Sequence, residues 1–377
     1  MNVLSRRAVW IPIVAALGCS PAAPGAAGAR CPEAATPRSS ASASPSAAPS
    51  TTARSEDAKP RLEITITPDP RIDSVGVEVV AQGDPALLMR WSIRDPFGTF
   101  KLISLRDDSG PLTSTAAPAS TASSAKGAIT LATPPRGAVH LVYEVNVKPG
   151  LPNQVLPVNL DPDHFEGAGE ALLALPEGLD DKLTAATIHL RGPYWKDSKG
   201  ASSFGFGEDR EVIARGHDLR FATFLVGSTG MGRALFDTHE GYDEAVWLGY
   251  TSFDPRPISA DVAAFRTAVR ELFHEAEGAP LTLLIITDGR TPGSFRVTRR
   301  ASSVLAHVGS GEPWSGPVRI AVATEVIHGW IGSRLWVGPD DAAHAAESFW
   351  FSEGVARLGA QAGRRRRGVH EVAAEPP

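Results

Sequence analysis

Leu62, Ile64 and Ile66 alternate with polar or charged residues, and Val75, Val77 and Val79 do the same. Val139, Leu141, Tyr143, Val145 and Val147 extend the alternation over nine residues. Strand side chains point to opposite faces with a period of two, so this pattern fits a sheet with one buried face and not an amphipathic helix. Asp-Pro, Pro-Gly and Asp-Asp-Ser-Gly clusters punctuate the runs as turns. Short strands separated by turns predict an antiparallel β-sandwich over residues 60–215. The low-complexity stretch LTSTAAPASTASSAKG, residues 112–127, is expected to be an exposed loop between strands. No nucleophile or metal cluster stands out in this half. His140 and His189 fall within strand patterns and read as surface or edge histidines. The aromatics of HLRGPYW, residues 189–195, read as packing, with a binding face as the alternative.

From Gly216 the pattern changes. DLRFATFLVGS (218–228) and AVWLGYTSF (245–253) read as buried strands. SADVAAFRTAVRELFHEAEG predicts a helix capped by Ser259 and stopped by Gly278. Val262, Phe265, Val269, Leu272 and Phe273 form its apolar stripe. LTLLIITD (281–288), bounded by Pro280 and Gly289, reads as a buried strand. Residues 318–332 carry no proline and predict a further helix, begun by Pro317 at its first position. The class is therefore α+β, a β-sandwich followed by an α/β domain over 216–360.

The N-terminus, MNVLSRRAVWIPIVAALGCS, places Arg6 and Arg7 before a short apolar core and then Gly18-Cys19. The apolar run is too short to span a bilayer and reads as an export signal over residues 1–19. Its end resembles a bacterial lipobox, which implies cleavage before Cys19 and lipidation there. The expectation is a lipid-anchored protein exported to the bacterial cell envelope, with plain secretion as the alternative. Residues 20–59, rich in Ala, Pro, Ser and Thr, cannot bury enough apolar surface to offset their ordering entropy and form a disordered tether. Cys19 and Cys31 are the two cysteines and both precede the folded part, so no disulfide framework supports it. Residues 361–377 read as a basic, solvated tail around Arg364–Arg367. With a net charge of −5, nothing in the charge balance points to a nucleic-acid partner.

The chemistry concentrates in ATEVIHGWIG, residues 323–332. Residues four apart on a helix share a face, so Thr324 and His328 point the same way, with Glu325 about a third of a turn round. A zinc peptidase uses that arrangement for two imidazole ligands and one carboxylate beside a metal-bound water. Downstream, ESFWFSEGVARL (347–358) offers Glu353 as a third ligand.

This pair of segments, TEVIHGWIG and FWFSEGVARL, resembles the paired signature of the glycyl-aminopeptidase-type metallopeptidases (peptidase family M sixty-one). The resemblance covers roughly residues 60–360 and implies a β-sandwich followed by a thermolysin-like metallopeptidase domain. It implies zinc as cofactor, with His328 and Glu353 as ligands, Glu325 as general base, and Trp330 as a structural residue. A peptide or protein is then the substrate, hydrolysed by metal-activated water.

Three departures accompany the resemblance. Thr324 stands where the first zinc histidine belongs, leaving two protein ligands. The family's Gly-Gly-x-Glu-His stretch has no counterpart in residues 289–307, which contain no Glu. The chain ends soon after Glu353, which implies a shortened domain. His307 and His344 read as surface histidines, and His370-Glu371 as coincidence. The function is thus expected to be that of a zinc metallopeptidase-like envelope lipoprotein. The alternatives are a catalytically inactive homologue that binds peptides or partners through the same cleft, which ligand count favours, and a purely structural lipoprotein.

Overall fold

The computed structural model describes residues 59–94, 99–117, 126–147, 157–228, 230–238, 241–249, 252–275, 280–288, 293–331 and 353–360. Cys19, Cys31, His344, nearly all of the expected tether and the basic tail lie outside the described residues.

The alternating segments form a seven-stranded sheet. Its order is Asp209–Arg215, Leu183–Leu190, Arg61–Asp69, Ser74–Gln82, Val139–Asn146, Phe100–Asp107 and Gly110–Pro111. Ile64, Ile66, Val77, Val79, Leu141 and Tyr143 all point inward. Five of the six pairings are antiparallel, as expected; the exception is Arg61–Asp69 with Leu183–Leu190, which run parallel from Arg61↔Ala185 to Ile66↔Leu190.

Against this sheet lie a five-stranded sheet (Gly205–Phe206, Lys199–Ser202, Thr223–Gly227, His164–Ala168, Val158–Leu160) and a four-stranded one (Leu175–Pro176, Arg90–Arg94, Lys126–Leu131, Ser114–Ala117). Trp91, Phe165, Phe224 and Val226 join Ile64 and Tyr143 in one core. Tyr143 is fully buried, and its hydroxyl donates to the Leu172 carbonyl at 2.6 Å while accepting from the Ala174 N–H at 2.8 Å. Both capacities of a buried hydroxyl are thereby satisfied.

Two expectations need correction. The stretch 112–127 is not all loop: Ser114–Ala117 pairs antiparallel with Lys126–Leu131, and residues 118–125 lie outside the described residues. Ile129 and Leu131 are buried, so the hairpin is anchored by side chains beyond the low-complexity run. Within 218–228, the helical turn Gly216–Arg220 precedes a strand of Thr223–Gly227 alone.

The second half is built on a five-stranded sheet ordered Gly232–Thr238, Gly241–Leu248, Thr282–Asp288, Ser303–Gly309, Phe295–Arg300. The three central strands are parallel and the two outer ones antiparallel to their neighbours. One face packs under the helices Pro255–Leu272 and Gly316–Ile327 through Leu283, Ile285, Phe265, Val322 and Val326. The opposite face, with Leu284, Ile286 and Leu305, packs on Ala201 and Leu225 of the first half. Parallel strands buried on both faces read as continuous apolar runs, which is the character of LTLLIITD.

Polar contacts cross this junction. Ser303 Oγ donates to Ser203 Oγ at 2.8 Å, and His307 Nε2 lies 3.0 Å from Glu166 Oε1. His307 is 5% exposed, which corrects its reading as a surface histidine. Its partner is 141 positions away in the chain, and no local pattern announces that.

Both helices start and stop differently from expectation. The first begins at Pro255, four residues before Ser259, because Asp254 caps it by accepting from the Arg256 N–H. It ends at Leu272, with Phe273 as its C-cap and His274 in the left-handed region, so Leu272 is exposed rather than part of the buried stripe. Gly278 lies outside the described residues. The second helix is capped by Ser315, carries Pro317 in its first turn and ends at Ile327, with His328 as its C-cap.

Candidate functional site

The helix Gly316–Ile327, called the site helix below, delivers Thr324, Glu325 and His328 to one end of the sheet. The helical segment 353–360 brings Glu353 to the same place. His328 Nδ1 lies 3.2 Å from the Ile331 carbonyl, and this contact turns Nε2 outward to within 3.2 Å of Glu353 Oε1. Arg357, one turn on, approaches the other Glu353 oxygen at 3.6 Å.

Glu325 is half-buried. Its Oε2 accepts the main-chain N–H of Arg299 at 2.9 Å. Burial pushes its carboxyl above the usual range, while His328 and the Arg299 amide pull it back. Arg299 belongs to Phe295–Arg300, the edge strand of the five-stranded sheet, and its guanidinium also donates to the Glu325 carbonyl at 3.2 Å. A Cβ at Gly329 would sit 2.9 Å from Arg299 Nη1, so a side chain there would make this guanidinium shift. Trp330 is buried, stacks on Phe273 with centroids 6.0 Å apart, and donates its indole N–H to Glu275.

Thr324 is 7% exposed, and its hydroxyl donates to the Ile320 carbonyl of its own helix at 2.7 Å. A threonine oxygen is one bond from Cβ, whereas an imidazole Nε2 is three bonds out. The hydroxyl is therefore both turned away and too short to stand in for histidine.

Two donors on one tetrahedral zinc, each about 2.0–2.1 Å from the metal, lie roughly 3.3 Å apart. The 3.2 Å between His328 and Glu353 has that spacing, and it is also the spacing of a direct imidazole–carboxylate pair. The deciding feature is the number of donors. A catalytic zinc takes three protein ligands, and among the described residues no group of three His, Cys, Asp or Glu is arranged to hold a metal. Among the described residues, the donors around His328 and Glu353 do not fit a catalytic zinc.

Glu325, His328 and Glu353 lie together in the fold, as their motif spacing predicts, with Thr324 beside them. Arg299 has no such sequence signal. The segment FRVTRR carries no motif, and its role depends on which strand lies at the sheet edge.

No protein-family model matches this chain, and no curated relative matches it in sequence. In fold it is similar to an aminopeptidase N family protein from Idiomarina loihiensis (TM-score 0.61, 18% identity), covering 82% of this chain and 55% of that one. It is similar also to an M1 zinc metallopeptidase mutant from Deinococcus radiodurans bound to a Tyr-Ser-Ala substrate (TM-score 0.53, 12% identity), covering 82% of this chain and 70% of that one. A third similar structure is native yeast LTA4 hydrolase (TM-score 0.52, 9% identity), covering 81% of this chain and 49% of that one. The chain thus spans about half the length of the first and third. The shared property is the α+β fold, an N-terminal β domain followed by the sheet-and-helix body that carries the site.

Proposed function

We propose that this chain is an exported, lipid-anchored protein that captures peptide segments in a metallopeptidase-type cleft without a catalytic zinc. The observation that carries this reading is the Thr324 hydroxyl, committed to the Ile320 carbonyl, which leaves His328 and Glu353 one donor short among the described residues. The motif pair TEVIHGWIG and FWFSEGVARL supports descent from the glycyl-aminopeptidase type, and the structural neighbours support the broader M1 fold. The peptide-binding part rests on the edge strand. In an antiparallel ladder, alternate residues turn their main-chain groups toward and away from the partner strand. Arg299 turns its N–H away, to Glu325. Val297 and Phe295 share its parity and face the same side, where an extended peptide can add as a further strand. The lipid anchor rests on the Gly18-Cys19 signal end.

The test measures zinc content of the purified full chain, with binding and hydrolysis of Tyr-Ser-Ala. The expected result is no stoichiometric zinc, and tripeptide bound but not cleaved. Val297→Pro is expected to weaken that binding without unfolding, since proline is tolerated at a sheet edge. Thr324→His is expected to gain zinc. One zinc per chain in the wild type, lost on His328→Ala, would overturn the zinc-free reading. Anchoring is tested separately, by palmitate labelling of the wild type and its loss in Cys19→Ser.

A further inference from the structure

The seven-stranded sheet ends at Asp209–Arg215, which pairs with Leu183–Leu190 on one side and with no described strand on the other. Two hydrogen bonds fix which of its residues face the open side. The Leu190 N–H donates to the Glu208 carbonyl at 2.7 Å. Main-chain groups alternate along an antiparallel strand, so Arg210, Val212 and Ala214 also face Leu183–Leu190. The Arg215 N–H instead donates to the Asp218 carboxylate at 3.3 Å, which fits the same alternation. Asp209, Glu211 and Ile213 therefore turn their N–H and C=O groups outward, and such an edge is a template for another strand. Beyond Arg215 the chain turns toward the end of the sheet, where the His217 N–H meets the Asp180 carbonyl at 3.0 Å.

The side chains on the outer face are complementary to themselves. Ile213 is 65% exposed, and Leu183, its diagonal neighbour across the ladder, is 53% exposed. Glu211 and Arg215 flank Ile213 on the same face. Both are exposed, and neither has an ion-pair partner among the described residues. The face thus runs from acid through aliphatic to base. Turned antiparallel against a copy of itself with Ile213 on the two-fold axis, it sets Glu211 of each chain opposite Arg215 of the other. Ile213 then exchanges main-chain bonds with its copy, and each Glu211 N–H meets an Arg215 carbonyl. Leu183 and Ile213 continue across the axis as one aliphatic stripe. Neighbouring registers are poorer. Centring on Glu211 places two carboxylates face to face, which is destabilising. Centring on Val212 sets Glu211 against Ile213, and Asp209 against Arg215, although Asp209 already accepts from Arg191 at 2.6 Å.

We propose that Asp209–Arg215 is a self-association edge, where a second copy of this chain adds antiparallel and joins two seven-stranded sheets into one. An isologous contact uses the same edge on both copies, so it closes at a dimer. A single strand pair buries little area, so the association is reversible. The surface belongs to the first half and does not depend on what the cleft binds.

Sedimentation equilibrium of the purified full chain is the test, and a reversible monomer–dimer equilibrium is expected. Ile213→Lys sets two ammonium groups on the axis and is expected to weaken the dimer about tenfold or more. Glu211→Arg and Arg215→Glu each place like charges opposite one another and are expected to weaken it too. The double variant Glu211→Arg/Arg215→Glu restores opposite charges at unchanged net charge and is expected to recover it. All three positions are exposed, and thermal unfolding verifies that each variant keeps the fold. A chain that stays monomeric up to about 1 mM would overturn the proposal. So would a dimer indifferent to Ile213→Lys, or a double variant no better than the single ones.

Discussion

The main-chain N–H of Arg299 donates to Oε2 of Glu325 at 2.9 Å and ties the sheet edge to the site helix. In the zinc-peptidase helix motif a carboxylate beside the histidines stands next to a metal-bound water. Here a protein amide holds it. Glu325→Gln keeps an acceptor for that amide and removes a charge that burial disfavours, so stability at neutral pH should be unchanged or raised. Glu325→Leu leaves the Arg299 N–H without its acceptor and should cost about 1–3 kcal/mol. Urea denaturation of the two variants measures the difference.

Thr324→Val tests the orientation of the hydroxyl. The hydroxyl's bond is local, to Ile320, and valine has nearly the same shape. The Ile320 carbonyl keeps its main-chain helical bond, so no buried acceptor is left unsatisfied and only one neutral hydrogen bond is lost. The expected change is below about 1 kcal/mol, with zinc content unaltered. A measurable fall in bound metal would show that the hydroxyl serves as a ligand.

Arg266 and Asp243 form a buried pair, and their variants should be strongly coupled. Arg266→Met strands a carboxylate in the interior and should cost about 3–5 kcal/mol. Adding Asp243→Asn removes the stranded charge and keeps an acceptor for the Leu281 N–H, so the double variant should recover most of the loss. A double-mutant cycle in denaturant gives the coupling.

Asp107 sets an acid-side dependence. Its carboxylate accepts from the Arg136 N–H, the Ser109 hydroxyl and the Ser109 and Gly110 amides, and these hold its pKa down to about 2. A folded-state value below the unfolded one adds stability that is fully present above about pH 4 and is lost as pH falls through about 2. Asp107→Asn should flatten the pH dependence of stability within that window. Unfolding followed at stepped pH, with the carboxyl titrated by NMR, checks both parts.

Parts of this architecture were legible in the residues and parts were not, for identifiable reasons. The alternation from Val139 to Val147 reads directly as a strand because one face is buried and the other is wet. Ser114–Ala117 has no such signature, since its pairing is supplied by Lys126–Leu131. Asp254 and Ser259 both satisfy the chemistry of a helix cap. The earlier one prevails with Pro255 following it. His328 and Glu325 share a helix, so spacing alone relates them. Arg299 and the His307–Glu166 contact depend on which strands become neighbours, a tertiary fact that no local window contains.

The parallel pairing of Arg61–Asp69 with Leu183–Leu190 has a mechanical consequence. Tension arriving through the chain before Lys59 enters the fold at a strand bonded on both sides, to Leu183–Leu190 and to Ser74–Gln82. A pull along that strand loads both hydrogen-bond ladders together in shear, instead of peeling them open one rung at a time. A pull on this N-terminal strand is thus taken up at the inside of the sheet, away from its edges.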